Sequence, residues 1–327
     1  MTRKFGTVHR YTVPKAQQAW DALPRIIAML DEPVAGPGVI PQYLLSADIR
    51  ASGIPVVNGG QGGDEMFAGY KRHLLPYALA EIRRDGGLRN ASSAVQTLGV
   101  RGLLRVAAER ALVPGTMLLH RSMRKYAGAF RHDIDFDGLM RADLTGYLGS
   151  LLHVEDRTSM AWSVESRVPL LDDAVIEMSA SMHRSWKMRD GVPKRVLRDA
   201  LRGLVPDIVL DRTDKRGLPT PLGQWLRGPW RAAVRDVLNE TVPKTEDLFD
   251  RALLRRAFTL HCDYDIDLSG LLWRPLTTLL WFDQLGSKTA ASTQNAPHAG
   301  ANFITSESDR SNATRSVASA APFAGSR

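Results

Sequence analysis

Residues 56–70, with the sequence VVNGGQGGDEMFAGY, decide the fold of this chain. The stretch starts with apolar residues typical of a buried strand, passes through four glycines in five positions, and continues from Asp64 into a predicted helix. Glycines bring no Cβ atom between backbone and ligand, and they permit the positive φ angles at which successive N–H groups converge on one anion. The stretch therefore predicts a phosphate-binding turn, with a plain glycine-rich connection as the alternative. The glycines concerned are Gly59, Gly60, Gly62 and Gly63.

Two acidic residues follow the turn. Asp64 and Glu65 in the first turn of a helix interact favourably with the positive end of the helix dipole, which is an ordinary structural role. The same helix end adds unpaired N–H groups to an anion site. A carboxylate beside a phosphate also favours Mg²⁺, so Asp64 is a candidate metal ligand.

The composition is that of a globular protein. The 327 residues are 44% hydrophobic and 24% charged, which is ample for one large or two modest domains. No apolar run approaches the length of a membrane span, and the N-terminus lacks the apolar centre of a signal peptide. We therefore expect a soluble, cytoplasmic protein. Cys262 is the single cysteine, so an intrachain disulfide is excluded.

The charge favours an anionic partner. A net charge of +8 suits a nucleotide, pyrophosphate or nucleic acid. The basic residues are interleaved with apolar ones at helical spacing, and no pattern of aromatic and basic residues for base stacking accompanies them. We expect small-molecule substrates, with neither nucleic acid nor a membrane as partner.

The first 73 residues read as an α/β unit. Periodicity and turn residues predict a strand, two helices and a second, buried strand. Pro24 lies inside the first predicted helix, and Gly53 ends the second. This order, a strand, two helices, a second strand, a glycine turn and a helix, is typical of a crossover in a doubly wound parallel sheet. In such sheets ligands bind at the carboxyl ends of the strands. The predicted elements are a strand at residues 7–13, helices at residues 16–30 and 40–52, and a strand at residues 54–57.

The rest of the chain reads as helical. Residues 74–285 carry apolar stripes at helical spacing, for example Leu103, Leu104, Val106 and Ala107, and no strand is predicted there. From about Ser287 the sequence is rich in small and polar residues that bury too little surface to offset their ordering entropy. We expect one domain over residues 1–285, with a mainly helical portion at 74–285, and a disordered tail at 286–327.

Two further stretches carry candidate residues. Residues 156–172 have acids and bases among apolar residues, which fits either a salt-bridged helix end or a site where Glu165 and Arg167 are desolvated. Lys194 is predicted in the first turn of a helix, where a cation is unfavourable unless an anion lies near. Lys215 and Arg216 lie in a basic loop that either closes over a site or simply covers the surface.

Residues 59–70 also resemble the second signature loop of the asparagine synthetase C-terminal domain, usually Ser-Gly-x-Gly-x-Asp-Glu, an apolar residue, Phe, Gly, Gly and Tyr. Four other motifs of that family occur in its order, so that the resemblance covers residues 7–285. They are an Asp/Glu-x-Pro loop (31–33), an Asp-Arg-x-Ser-Met segment ending in Glu-x-Arg-x-Pro-x-Leu-Asp (156–172), a Lys-x-x-Leu-Arg helix (194–198) and a basic loop before Pro and Trp (212–225).

The resemblance implies an ATP-pyrophosphatase fold, of the adenine nucleotide alpha hydrolase-like type, as a partial parallel sheet followed by a helical region. It implies that ATP activates aspartate as an acyl-adenylate and that ammonia, free or from glutamine, then gives asparagine, AMP and pyrophosphate. Within the family, the carboxylate matching Asp64 helps hold Mg²⁺, and the lysine matching Lys194 neutralises charge on the leaving phosphates. Such stabilisation is electrostatic.

The resemblance assigns the remaining site residues as well. The turn glycines would bind the nucleotide's pyrophosphate, and Asp156, Glu165 and Arg167 are substrate-site candidates. Gln61 is a catalytic-site candidate, because it stands where many members of the family have Glu or Asp. A carboxylate there can take a proton from the ammonium nucleophile, whereas Gln cannot, so another base would have to serve.

Two parts of the family pattern are not found in this sequence. One is the first phosphate loop, Ser-Gly-Gly-x-Asp-Ser, which in the family precedes the second loop by about a hundred residues. The other is the glutaminase domain, whose nucleophile is an N-terminal Cys, whereas residue 2 of this chain is Thr2. We therefore expect an N-terminally truncated domain that is inactive alone and needs a partner chain supplying that loop and a glutaminase. The alternatives are a non-catalytic remnant or regulatory subunit, and a related ATP-dependent cyclase of the β-lactam synthetase or lasso-peptide type.

Overall fold

The computed structural model describes residues 2–34, 36–85, 118–124, 135–212, 217–240, 245–264 and 266–294. The chain divides into two units, Met1–Ser287 and Lys288–Arg327. Of the second unit only residues 288–294, the end of a helix, are described. Two predicted features lie outside the described residues: the helical stripe around Leu103, and residues 295–327 of the predicted tail.

The first unit is mixed α/β and mostly helical. Its helices are α1 Thr2–Phe5, α2 Ala16–Leu30, α3 Val39–Ala51, α4 Gly63–Met66, α5 Leu74–Asp85, α6 Arg121–Arg124, α7 Phe136–Ala142, α8 Leu148–Met160, α9 Asp173–Ser181, α10 Arg184–Lys187, α11 Arg195–Ala200, α12 Asp207–Leu210, α13 Leu222–Arg227, α14 Arg231–Asn239, α15 Arg251–Asp263 and α16 Ser269–Gln294, the last of which runs into the second unit. Short 3₁₀ turns occur at Lys71–His73 and Pro169–Leu171, and a π-helical turn at Asp143–Tyr147. Helix α16 thus continues past residue 286, where the tail is predicted to start.

Two strand pairs accompany the helices. β1 (Val56–Asn58) pairs in parallel with β2 (Glu165–Arg167), with Val57 opposite Ser166. β3 (Met188–Arg189) and β4 (Val192–Pro193) form a small antiparallel hairpin. The prediction that residues 74–285 contain no strand is therefore wrong at β2, β3 and β4.

The hairpin had a sequence signal. Asp190 and Gly191 connect its strands with φ angles of 52° and 71°. Positive φ at both central residues is the geometry of a tight two-residue hairpin turn, for which Asp-Gly is a preferred sequence.

The two N-terminal helices match their predictions. α2 has the predicted bounds and buries the stripe Leu23, Ile26 and Ile27 in spite of Pro24. α3 begins and ends one residue before its predicted limits, and Gly53 follows it at a φ of 76°. Amphipathic spacing and a terminal glycine were therefore sufficient to place both helices.

Residues 7–13 are not a strand, in contrast to the prediction. They form an irregular segment with no ladder partner among the described residues. Side chains hold the segment along α3: Arg10 donates to Ser52 Oγ at 2.5 Å and Thr12 donates to Asp48. An alternating β-prone sequence becomes a strand only where another backbone is placed beside it.

The largest apolar core lies among the helices. This helical core is built from α2, α3 and α13 to α16, and its most buried side chains are at most 1% exposed. A second, smaller core lies beside the glycine turn and is named here the site core: Ala68, Leu74, Tyr77, Phe136, Met140 and Met188.

The parallel strand pair is covered on one face only. The middle residues Val57 and Ser166 are half-buried on the side where α8 packs, whereas Val56 is 36% exposed on the opposite side. The expectation of a strand buried on both faces is therefore wrong. The apolar side chain of Val56 on this second face is therefore left partly in solvent.

Candidate functional site

The glycine turn lies at the carboxyl end of β1 and is tightly packed at most of its positions. The N–H of Gly59 donates to the carbonyl of Arg167 at 2.7 Å, which ties the turn to the end of β2. Gly62 has a φ of +87°, and a Cβ atom there would overlap Leu171. A Cβ atom on Gly63 would lie 3.1 Å from a methyl group of Leu170. Leu170 and Leu171, in the 3₁₀ turn that follows β2, therefore pack against the glycine turn.

Gly60 is the exception in the turn. A Cβ atom at this position would meet no atom within 4 Å. The neighbouring Gln61 is half-buried. The turn thus has one open position, which is where a ligand can approach the backbone.

The helix that follows the turn is a single turn of four residues. The prediction that a helix begins near Asp64 is confirmed, but an extended helix dipole is not available at this point. Charge at the site therefore comes from side chains.

An ion pair stands beside the turn. Lys194 Nζ lies 2.8 Å from Asp64 Oδ1, and both side chains are about three-quarters buried, at 29% and 25% exposed. The same Nζ would lie 3.6 Å from a Cβ atom on Gly63. A Cβ atom on Gly69 would overlap both Asp64 Oδ1 and Lys194 Cε. Glycine at position 69 is therefore required for the pair to form as it does.

The backbone holds Lys194 in place. The residue precedes α11, rather than lying in its first turn as predicted, and has a φ of 57°. Its N–H donates to the carbonyl of Phe67 at 3.0 Å, next to Ala68, which has a φ of 56°. Left-handed conformations at non-glycine residues are costly and are maintained by surrounding structure. Here that structure is the β3–β4 hairpin on one side and α4 on the other.

The residue after Asp64 in α4 is a buried glutamate. Glu65 is 1% exposed and accepts a hydrogen bond from the Tyr70 hydroxyl. Burial, and then this hydrogen bond, raise the pKa of Tyr70 above its ordinary value. Tyr70 therefore stays protonated and keeps donating to Glu65.

A polar cluster continues from Tyr70 and is named here the polar clamp: Tyr70, Arg72, His73, Asp143 and Tyr147. Asp143 lies 2.7 Å from His73 Nε2 and 2.8 Å from an Arg72 nitrogen. The Arg72 guanidinium stands 4.4 Å and 4.5 Å from the ring centroids of Tyr70 and Tyr147. Burial alone would raise the pKa of Asp143, but the hydrogen bonds from His73 and Arg72 outweigh it and hold that pKa below its usual value.

Sequence reasoning missed the polar clamp and one further carboxylate. Glu155 on α8 is 9% exposed and accepts a hydrogen bond from the Ser166 hydroxyl, and a Cβ atom on Gly59 would overlap its Oε1. No local pattern marks such residues, because their partners lie on elements remote in sequence.

The other predicted site residues are more exposed. Of the two interpretations given to Glu165 and Arg167, the desolvated site is wrong: the side chains are 56% and 61% exposed and pair with each other at 2.8 Å. They alternate with Ser166 and so project from the uncovered face of the sheet. Asp156 is exposed on α8. Lys215 and Arg216 of the basic loop lie outside the described residues.

The metal prediction rests on one carboxylate. Among the described residues, no group of three or more His, Cys, Asp and Glu side chains is placed to hold a metal ion by itself. Mg²⁺ is often held by one or two carboxylates together with substrate phosphates and water. Asp64, beside a glycine turn with an open position at Gly60, has the chemistry of one such carboxylate.

Fold and site together define a class. A parallel strand pair ending in a glycine turn, with an acid and a lysine beside it, is the arrangement of mixed α/β proteins that bind anionic ligands at the carboxyl ends of strands. The Asparagine synthase family profile matches residues 1–283. The chain belongs to this family.

Curated relatives agree with the assignment. Asparagine synthetase (glutamine-hydrolyzing) 1 of Bacillus subtilis is 26% identical over 295 residues, which cover 81% of this chain and 46% of that protein. A putative asparagine synthetase (glutamine-hydrolyzing) of Mycobacterium bovis is 29% identical over 307 residues, 85% of this chain and 46% of the relative. The yeast asparagine synthetase (glutamine-hydrolyzing) 1 is 22% identical over 277 residues, 80% of this chain and 39% of its own length. The chain thus spans about half the length, or less, of these relatives.

Of the helices that the structure describes, none combines the length and the apolar character needed to cross a membrane.

Proposed function

We propose that this chain is the synthetase part of an asparagine synthetase-type ligase and binds the pyrophosphate portion of ATP. The observation that carries the proposal is the ion pair of Asp64 and Lys194 beside the open position at Gly60. A lysine and a carboxylate beside exposed backbone N–H groups are the parts needed to bind phosphates and a divalent cation.

Asp64 would hold Mg²⁺ on the pyrophosphate. A bound Mg²⁺ ion would neutralise negative charge on the phosphate oxygens. Lys194 sits within reach of both Asp64 and the turn, so its ammonium group can pair with a phosphate oxygen when one is present. The pair seen here then keeps the lysine oriented toward the turn until an anion takes the place of the carboxylate.

The reaction would follow from this binding. The aspartate carboxylate attacks the α-phosphorus of ATP, giving an aspartyl-adenylate and pyrophosphate, and ammonia then displaces AMP to form the amide. Lys194 stabilises the negative charge that develops on the departing pyrophosphate. Gln61 can donate and accept hydrogen bonds at the site but cannot take a proton from the nucleophile. The cytoplasm, where ATP and Mg²⁺ are available, is the compartment that suits this reaction.

A second polypeptide segment would complete the site. The N–H of Gly59 points toward Arg167 of β2, and backbone groups alternate along a strand, so those of Val56 and Asn58 point to the outer edge of β1. No described strand pairs with that edge. An open edge with exposed apolar side chains is unfavourable unless covered. We infer that it receives the segment carrying the Ser-Gly-Gly-x-Asp-Ser loop, with a glutaminase as the nitrogen source.

A non-catalytic, nucleotide-binding subunit is the second candidate. Gln61 favours this second candidate, because glutamine lacks the carboxylate that the resemblance to the family implies for proton transfer. The two candidates share phosphate binding and differ in catalysis.

Calorimetric titration with magnesium pyrophosphate tests the shared part. We expect Lys194→Met and Asp64→Asn to weaken binding by roughly 10- to 100-fold, which corresponds to one charge-assisted contact. Lys15→Met, at an exposed lysine before α2, is the matched control and should bind like the wild type. Equal affinity in wild type and Lys194→Met would contradict the proposal.

Pyrophosphate release from ATP, aspartate, ammonia and Mg²⁺ then tests whether the chain is active by itself. The chain alone should release none, while binding persists. Release that disappears in Asp64→Asn would show instead that the described residues already form a working site.

A further inference from the structure

We propose that Arg198 is a positioning residue of the candidate site, which holds the backbone of Lys194 so that the lysine ammonium group faces the glycine turn. The proposal rests on the proposed function, because it names a residue that acts through the phosphate-binding lysine. The described hydrogen bonds of the Arg198 side chain all go to backbone carbonyls away from the glycine turn, so its effect on the site is indirect.

The backbone of Lys194 needs such support. Its φ angle of 57° is left-handed, which a non-glycine residue keeps only where the surrounding structure enforces it. Because peptide units are planar, the two backbone angles of a residue are set by the orientation of the unit before it and the unit after it. The unit before Lys194 contains the carbonyl of Pro193 and the N–H of Lys194, and the unit after it contains the Lys194 carbonyl. The orientation of both units therefore decides where the lysine side chain points.

Arg198 holds both of these peptide units. Its Nε donates to the Pro193 carbonyl at 3.0 Å, and the N–H of the same peptide unit donates to the Phe67 carbonyl at 3.0 Å. The backbone N–H of Arg198 donates to the Lys194 carbonyl at 2.9 Å. Two of the three hydrogen bonds that fix the units on either side of Lys194 therefore come from this one residue.

The rest of the guanidinium group fixes Arg198 itself. Its Nη1 donates to the carbonyl of Leu210, at the end of α12, and its Nη2 donates to the carbonyl of Arg212 at 3.1 Å. The side chain is half-buried. Three carbonyls around one planar group match the fixed fork of guanidinium donors, which the ammonium group of a lysine does not reproduce.

A neighbouring arginine shows the contrast. Arg202, four residues after Arg198, lies 3.3 Å from Asp207 Oδ1 and 2.9 Å from Asp211 Oδ1, and its side chain is 49% exposed. Both arginines thus bind the segment around α12. Arg202 does so through carboxylates in solvent, whereas the described partners of Arg198 are neutral carbonyls. The role of Arg198 is therefore to set backbone geometry.

Magnesium pyrophosphate binding by the folded variants tests the inference. Arg198→Met should weaken binding by about 10-fold, because Lys194 then loses its fixed direction. Arg202→Met is the matched control and should bind like the wild type. It removes the bonds to Asp207 and Asp211 but none to the backbone before Lys194. Wild-type affinity in Arg198→Met, or an equal loss in Arg202→Met, would overturn the proposal.

Chemical rescue separates positioning from a general loss of packing. Arg198→Ala leaves room for a free guanidinium ion, which can donate to the same carbonyls. Guanidinium chloride far below denaturing concentrations should restore binding to Arg198→Ala but not to Lys194→Met, and sodium chloride at equal ionic strength should restore neither. Arg198→Lys keeps the charge without the fork and should bind no better than Arg198→Met, which carries the test if the alanine variant does not fold. Absence of rescue in folded Arg198→Ala, or full binding by Arg198→Lys, would contradict the proposal.

The NMR signal of the Lys194 side chain separates this inference from the proposed function, because it requires no ligand. In lysine-labelled protein, Lys194→Met identifies the signal of Cε and Asp64→Asn gives its position without the ion pair. The signal should move toward that position in Arg198→Met and stay in place in Arg202→Met. This movement, in a wild type that does not bind pyrophosphate, would remove the phosphate assignment and leave the positioning role standing. An unmoved signal in Arg198→Met would overturn the positioning role.

Discussion

The helical core and the parallel strand pair bury their apolar residues very differently. Leu226, Trp230 and Leu254 in the helical core are at most 1% exposed, whereas Val56 in β1 and nearby Ile54 are 36% and 42% exposed. The helices that form this core bury their apolar side chains against one another. The sheet has a covered face, an open face and an open edge, and the candidate site lies at its carboxyl end. The largest apolar core and the candidate site thus lie in different regions.

The largest expected effect tests the helical core. Leu254→Ala should lower the free energy of unfolding by about 3–5 kcal/mol, because it leaves a cavity among helices that cannot close around it. Val56→Ala in the strand should cost less than about 1 kcal/mol, since its side chain is already partly in solvent. Urea unfolding of both variants measures the difference. Similar losses would mean that the outer face of β1 is covered in solution.

An intermediate effect is expected at the polar clamp, which holds the region around the site where apolar burial is limited. Asp143→Asn should cost about 2–3 kcal/mol near neutral pH, because Arg72 and His73 lose a charged acceptor. The folded-state pKa of Asp143 is lowered. Its contribution is therefore complete above the unfolded value of about 3.9 and is lost as pH falls through the folded pKa.

Unfolding curves recorded across acidic pH check this sign. The wild type should lose stability below about pH 4 more steeply than Asp143→Asn. Parallel curves for the two proteins would show that the clamp contributes nothing through Asp143.

The smallest effects on stability are expected at two glycines of the candidate site, Gly69 and Gly60. Gly69→Ala should cost about 1–2 kcal/mol, since its Cβ pushes Asp64 and Lys194 apart. It should weaken magnesium pyrophosphate binding as strongly as Lys194→Met. Gly60→Ala meets open space and should change stability by less than about 0.5 kcal/mol while still hindering the ligand. Unchanged binding in Gly60→Ala would place the phosphates elsewhere.

The sequence by itself determined the local features of this protein. The spacing of Leu23, Ile26 and Ile27 placed α2, Gly53 marked the end of α3, and the glycines after Val57 marked the turn. These features follow from helical periodicity and from the φ angles that glycine permits, so neighbouring residues are enough to reveal them. The order of the motifs likewise indicated the family.

Only the tertiary structure decided which residues meet. The pairing of β1 with β2, the contact of Asp64 with Lys194 and the burial of Glu155 behind Gly59 join segments far apart in the chain. The periodic pattern of the sequence does not predict such contacts, because they depend on how α8 and the β3–β4 hairpin pack. The same packing left Glu165 in solvent, so that only one of the two interpretations of its motif, the desolvated site, is wrong. Exposure is set by what covers a face of the sheet, and a strand's own sequence does not specify its cover.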